Sequence, residues 1–276
     1  MLAADLAVLN FDIDKTAPGS QEATSRLAEA IGEADPDLVA LQNAWRLGDG
    51  SALPRLGLPY YGGRMRNGLI VLSRFPIIEE RWQAFSCPMS RLRRSGLRQI
   101  DSGILLVRMQ TPQGPVDAYN TRFIADEGAV QYRTLRMTQI FELASMVETY
   151  SAGKPFLILG DLGQDSDRRL LGNLLGLHHS LLPGDADAQQ ASLPAEMFKP
   201  VALRRIEALG QIEEASARMI ETFRRRLTKG SWFPIYGFML TLRYERQINQ
   251  LETIKIRAQT ARIRTLASAS KRKTSK

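Results

Sequence analysis

One acid in this chain of 276 residues stands where chemistry is commonly done. In KPFLILGDLGQD (Lys154 to Asp165), a Pro and a short continuous apolar run lead to Asp161 at the mouth of a Gly-containing turn. Such a run, bounded by turn residues, predicts a strand buried on both faces, with Asp161 where the strand leaves the core. A carboxylate placed there is held by a rigid sheet and opened to substrate by a loop. The neighbouring Asp165, Ser166 and Asp167 precede a helix predicted at 168–175 and read as caps that favour its dipole. His178 and His179 are the only histidines; side chains of adjacent residues point in different directions, which makes them a poor metal clamp. The single Cys87 excludes a disulfide framework and suits an intracellular, reducing compartment, whether cytoplasm or an organelle matrix.

The elements that must hold Asp161 follow from periodicity and turn residues. AVLNFDID (Ala7 to Asp14) predicts a first strand on which Asn10 and Asp12 share a face. Ser20 is a good N-cap, and Ala23, Leu27, Ala30, Ile31 and Ala34 recur at helical spacing until Asp35-Pro36. Asp37 to Gln42 predicts a second strand, 46–65 a loop rich in Gly, Pro and Tyr, and Leu69 to Ser73 another buried strand. Residues 83–100, with CPMSRLRRSGLRQ, read as a solvated basic loop. Gly103 to Met109 and Val116 to Thr121 pair as a hairpin across Thr111-Pro-Gln-Gly. A helix over 129–150 leads into the strand that ends at Asp161, and Pro183 to Pro194 form a polar loop. Ile212, Ala215, Met219, Phe223 and Leu227 mark an amphipathic helix ending before Gly230; Tyr236 to Leu242 predicts a last strand. Beyond it, Ile248, Leu251, Ile254, Ala258 and Ala261 mark a long helix free of Pro and Gly.

Seven segments also resemble motifs of the endonuclease/exonuclease/phosphatase superfamily, which includes deoxyribonucleases and neutral sphingomyelinases. LILGDLGQD resembles its GDxN signature, and AVLNFDID its first strand with an active-site Asn, here Asn10. PDLVALQNAW (Pro36 to Trp45) resembles PDxxxLQE, RNGLIVLSRFPI (Arg66 to Ile77) the GxxxLSRxPI strand, and VDAYNTRF (Val116 to Phe123) NTHL. LRRIEAL (Leu203 to Leu209) is similar to the RIDY strand, and WFPIYGFMLTLRY (Trp232 to Tyr244) falls where the family closes with SDHYG and its last strand. The resemblance implies an α/β fold: a four-layer αββα sandwich of two mainly antiparallel sheets over residues 1–243. A basic amphipathic helix and tail, 244–276, has no counterpart in the family's core.

The same motifs imply lost chemistry. The position of the metal-binding Glu is Asn43, that of the catalytic His is Arg122, the Asn of GDxN is Gly163, and the Asp-His pair is Pro234 and Ile235. Asn10 and Asp161 match. A hard cation such as magnesium prefers charged oxygen ligands, and Asn43 offers only an amide dipole. Arg122 stays protonated and cannot act as general base. The reading is therefore a pseudoenzyme with no catalytic residue, no metal and no cofactor, serving as a structural or interaction subunit. A ribonucleoprotein is among the candidate assemblies. The alternative is an active magnesium-dependent phosphodiesterase, nuclease-like or sphingomyelinase-like, rebuilt around a carboxylate from Asp12 near Asp161. Arg122 has two readings: a bidentate clamp for phosphate or carboxylate, or an ion pair with Asp161 that fills the pocket. The second is preferred, because one retained acid and one new base are natural partners.

The net charge of +8 is confined to one end. Residues 241–276 hold ten Lys/Arg against two Glu, which leaves 27 bases against 27 acids in the rest. Arg257, Arg262, Arg264, Lys271, Arg272 and Lys273 are the expected partner contacts. A cationic helix can dock on protein, bind RNA or another polyanion, or lie on an anionic membrane. Aromatics are absent after Tyr244, which argues against base stacking and interfacial anchoring. Protein contact ranks first, RNA or another polyanion second, a membrane surface third. The N-terminus MLAADLAVLNF carries acid and predicts no secretory signal, and Trp232 to Leu242 is too short to span a bilayer.

Overall fold

A computed structural model describes residues 6–13, 21–47, 51, 53–64, 67–86, 102–124, 130–176, 201–229 and 234–274. Cys87, His178, His179 and nearly all of the basic loop lie outside the described residues. The chain divides into two compact units, Met1–Phe123 with Thr149–Leu162, and Ile124–Glu148 with Gly163–Lys276.

The first unit is built on two four-stranded sheets. One contains β1 (Val8–Asp12), β2 (Leu38–Gln42), β3 (Tyr60–Arg64) and β4 (Leu69–Ser73) in the order β1-β2-β4-β3. The other runs β5 (Ile77–Ala84), β6 (Gly103–Thr111), β7 (Gly114–Arg122), β8 (Phe156–Asp161). Neighbouring strands are antiparallel except for β1 beside β2 and β7 beside β8. Both faces of β2 and β4 are covered, which is why their sequences are continuous apolar runs. Val39, Leu41, Ile70 and Leu72 pack with Leu27 and Ile31 of α1 (Gln21–Ala34). Their alternates Leu38, Ala40, Leu69 and Val71 meet Leu105, Val107, Met109, Ala118 and Leu159 of the second sheet. Alternation along a strand thus stacks helix, sheet and sheet.

Two elements depart from expectation here. β3 lies within the predicted loop 46–65, and β5 was not predicted as a strand. The burial of β5 is irregular, with glutamates at 79 and 80, so neither an apolar run nor clean alternation marks it.

At the side of the second sheet a buried polar network ties β5, β6 and β7 to the end of a helix. Arg108 holds Asp117 through two bonds, Nε to Oδ1 at 2.6 Å and Nη2 to Oδ2 at 2.9 Å, and reaches Glu79 Oε2 at 2.5 Å. Ser151 Oγ donates to Asp117 Oδ2 at 2.5 Å and lies 2.6 Å from the Tyr119 hydroxyl. Burial pushes the Tyr119 phenol up to about 12, and the Asp117 carboxylate adds to this while the Ser151 bond opposes it. A phenol that binds its proton more tightly when folded stabilises the fold fully below the unfolded value near 10; that contribution disappears as pH rises through about 12. Unfolding free energy is expected to fall by about 2 kcal/mol across this window, and Tyr119→Phe to flatten the fall. Denaturant titrations at pH 9, 10, 11 and 12 check both; an equal slope in parent and variant would refute the assignment.

The second unit is helical. α2 (Val130–Tyr150) contributes its residues up to Glu148, and is followed by α3 (Asp165–Leu175), α4 (Val201–Lys229) and α5 (Pro234–Thr274). α3 starts earlier than predicted, and Asp167 Oδ2 accepts the Gln164 N–H at 3.0 Å, a cap at its first turn. α4 and α5 pair antiparallel, tied by Arg224–Glu252 at 2.6 Å and by Gln259 Nε2 to Glu213 Oε1 at 2.7 Å.

Two predicted strands are helices instead. Leu203 to Leu209 lies in α4, where Arg204, Ala208, Ile212, Ala215 and Met219 are buried at intervals of three and four, a period of 3.6 rather than 2. Tyr236 to Leu242 lies in α5, whose Pro234 takes the first helical position, where its missing N–H costs nothing. α5 is unbroken across residues 243 and 244, where the sequence places the end of the folded domain. Among the described residues no helix is long and apolar enough to cross a membrane.

Candidate functional site

The ends of four strands of the first unit carry the positions picked out in the sequence. β1 ends at Asp12, β2 at Gln42 just before Asn43, β7 at Arg122 and β8 at Asp161. Because β1 runs parallel to β2 and β7 to β8, these ends fall on one side, with β1 against β8 and β2 against both β7 and β8.

The floor is a chain of amides. Gln42 Nε2 donates to Asn10 Oδ1 at 3.0 Å and to Asn120 Oδ1 at 2.8 Å. Asn120 Nδ2 donates to the carbonyls of Leu41 at 3.0 Å and Ile70 at 2.9 Å, and Asn10 Nδ2 to Gly160 at 3.1 Å. Gln42 and Asn120 are fully buried, so each made bond offsets a desolvation cost that an apolar neighbour would leave standing. The sequence reading missed both residues. Gln42 closes the apolar run LVALQ, whereas Asn120 stands in VDAYNT between Tyr119 and Thr121, where other polar residues mask it.

On this floor lies a triad of Asp12, Asn43 and Arg122. Asn43 Nδ2 donates to Asp12 Oδ1 at 2.6 Å, and Arg122 Nη1 donates to Asn43 Oδ1 at 2.9 Å. Arg122 Nε stands 3.8 Å from Asp12 Oδ2. Asn43 turns out of β2 with a φ of 56°, a left-handed conformation that Asn adopts more readily than most residues. Arg122 therefore has two partners that the sequence reading does not assign to it. Asp161, the partner expected there, stands directly across from it in the β7–β8 register.

Gly163 belongs to the second unit, where it has a φ of 75°. A Cβ at this position would come within 2.7 Å of Asp167 Oδ2 and 3.2 Å of Arg136 Cδ. Arg136 and Asp167 form a buried ion pair at 2.8 Å, so neither can readily give way. Any larger side chain here is opposed by both backbone and space. Pro234 and Ile235 open α5, and their side chains lie outside the description.

A family model of the endonuclease/exonuclease/phosphatase family matches residues 9–238. The chain belongs to that family. Its stacked sheets and helices are the α/β sandwich that the motifs lead one to expect. Among solved structures it is similar to a beta hairpin deletion mutant of beta toxin from Staphylococcus aureus, with 15% identity and a TM-score of 0.51, covering 62% of this chain and 73% of that one. It is also similar to sphingomyelinase C from Streptomyces griseocarneus, at 20% identity and a TM-score of 0.45, over 59% and 66% of the two chains. TDP2 from Caenorhabditis elegans matches at 17% identity and a TM-score of 0.43, over 59% of this chain and 49% of that one. At 15% identity the first of these likenesses concerns the fold alone. No curated protein matches the chain by sequence.

The resemblance to the family implies a divalent cation at this strand-end cluster, and the residues present do not fit one. Magnesium demands near-octahedral oxygen ligands, normally including carboxylates. Asn43 supplies an amide whose oxygen accepts from Arg122 and whose nitrogen donates to Asp12. The Arg122 guanidinium brings a fixed positive charge to the carboxylate that a cation would need. Among the described residues no three His, Cys, Asp or Glu side chains converge as a metal group would.

Proposed function

We propose that this chain is a phosphodiesterase-like domain that no longer hydrolyses its ancestral substrate and serves as a structural or interaction subunit of a larger assembly. The observation that carries the reading is the Asp12–Asn43–Arg122 triad, in which an arginine at the position of the motif's His is bonded to an amide at the position of its metal-binding Glu and stands near the Asp12 carboxylate. A guanidinium donates hydrogen bonds and accepts none, so position 122 offers no general base. The close packing around Gly163 supports the same reading, because a side chain there would have to displace the Asp167 carboxylate from its place beside Arg136. The partner contact is assigned to α5, through its cationic half, with a protein ranked above RNA.

The test uses the full chain. Titration calorimetry with magnesium and manganese is expected to show no saturable binding below the millimolar range, and bis-nitrophenyl phosphate no turnover above buffer. Hydrolysis that disappears on Asp161→Asn would overturn the proposal. A second reading, an active magnesium-dependent hydrolase rebuilt around Asp12, is favoured by one observation: the Asp12 carboxylate is turned into the cluster and lies 2.6 Å from Asn43 Nδ2.

A further inference from the structure

α5 carries two apolar stripes, and among the described residues only one of them is packed. Ile248, Leu251, Ile254 and Ala258 are buried where α5 pairs with α4. Ile256, Ile263 and Leu266 form a second stripe and stay 60%, 66% and 48% exposed. Their spacing of seven and three residues is that of successive positions along a coiled-coil seam. Leu203 of α4, 42% exposed, lies toward the same end of the helical pair, since a Cβ on Gly210, about two turns further on, would lie within 4 Å of the Arg262 guanidinium.

The stripe has a charge signature. Ile256 sits between Lys255 and Arg257, and Ile263 between Arg262 and Arg264, so a cation–Ile–Arg triplet repeats one heptad apart. In a helix, residues before and after an apolar position project about 100° to either side, so Lys255 and Arg262 flank the Ile256–Ile263 row on one edge, where Arg262 also reaches Glu213 of α4 at 3.4 Å, and Arg257 and Arg264 flank it on the other. Residues 253–274 hold seven Lys/Arg and no Asp or Glu, whereas 234–252 hold two of each sign. The exposed apolar stripe coincides with the wholly cationic half.

We propose that this face docks an amphipathic helix of a partner protein whose apolar seam is flanked by acidic residues. The proposal rests on the interaction-subunit reading and names the chemistry of the partner. An acidic helix satisfies both features together: its seam covers Ile256, Ile263 and Leu266, and its acids meet cations on both edges. A nucleic-acid backbone would use the cations and leave the isoleucines in water. A membrane surface would use both, but the helix has no Trp, Tyr or Phe after Tyr244 to anchor it at the interface.

The experiment uses the full chain and a labelled synthetic four-heptad peptide with Leu at the seam and Glu on both flanks. Fluorescence anisotropy is expected to give saturable binding, at least tenfold tighter than for the same peptide with Lys flanks. Ile256→Ser/Ile263→Ser/Leu266→Ser and, separately, Arg257→Gln/Arg264→Gln are each expected to weaken it at least fivefold with unchanged helical circular dichroism, because all five side chains are exposed. Equal affinity for the two peptides, indifference to the triple variant, or tighter binding to phosphatidylserine vesicles or a 20-nucleotide RNA than to the peptide would overturn the proposal. Such failure leaves the non-catalytic reading intact, since that one is decided by metal binding and turnover.

Discussion

The double variant Asn43→Asp/Arg122→Ser is expected to bind manganese at least a hundredfold more tightly than the parent chain. Asn43, Asp12 and Arg122 are linked at 2.6 to 3.8 Å, so the charge of each bears directly on the other two. Two unit charges about 4 Å apart near a protein surface interact by about 4 kcal/mol. The variant removes one positive charge and adds one negative charge to this cluster, and even with solvent screening about 3 kcal/mol of that should reach a bound dication, or roughly a hundredfold in affinity. Asp is chosen over the family's Glu because residue 43 has a φ of 56°, which Asp tolerates better than a longer side chain. Arg122→Ser alone is expected to gain less, since Asn43 still offers only an amide. Manganese paramagnetic resonance titrations measure the change, with thermal unfolding as the check on folding. A folded double variant with the parent's affinity would show that the guanidinium is not what keeps a cation away.

This expectation depends on a geometry that the sequence shows only in part. That Asn43 and Asp161 lie at or just beyond strand ends is legible, because each follows an apolar run bounded by turn residues, and Arg122 follows the predicted strand of the hairpin. That Arg122 reaches Asn43 and Asp12 is not legible. That depends on the parallel register of β7 and β8 and on the left-handed turn at Asn43, both of which arise from long-range packing. The buried amides of Gln42 and Asn120 escaped notice for a related reason: a polar residue in a strand has no local meaning until its partner from another strand is known.

The fold divides the same way. β2, β4 and β8 announce themselves by apolar runs, and the β6–β7 hairpin by its turn. β3, with the sequence YYGGR, reads as loop because its glycines answer a tertiary demand. A Cβ on Gly62 would meet Val107 Cγ1 at 2.8 Å, and one on Gly63 the Leu69 carbonyl at 2.3 Å. The two helices read as strands show the opposite failure. A short motif match at 203–209 outweighed the helical spacing that continues from Arg204 through Met219, although a period sustained over four turns is the stronger physical signal.

Asp117→Ala is expected to lower unfolding free energy by about 3 to 5 kcal/mol, the usual cost of removing one partner from a buried ion pair. Asp117 is 1% exposed and stands in the middle of β7, far along the strand from Arg122. Its two oxygens take both bonds from Arg108 and the Ser151 hydroxyl. Without the carboxylate, Arg108 keeps Glu79 and the Tyr150 carbonyl, at 2.5 and 3.2 Å, but loses the partner that most favours its charged form. The Ser151 hydroxyl would lose its acceptor, while the Tyr119 phenol beside it stays buried. Arg108→Met/Asp117→Leu should recover most of the loss, because replacing both charges by apolar groups removes the desolvation cost along with the attraction. Urea unfolding followed by far-ultraviolet circular dichroism measures all three proteins. If the single variant lost less than about 1 kcal/mol, within the range of a solvated surface pair, the network would be decoration on the sheet. A large loss recovered by the double variant would show that the pair fixes how β5, β6 and β7 meet the end of α2 while adding little net stability of its own.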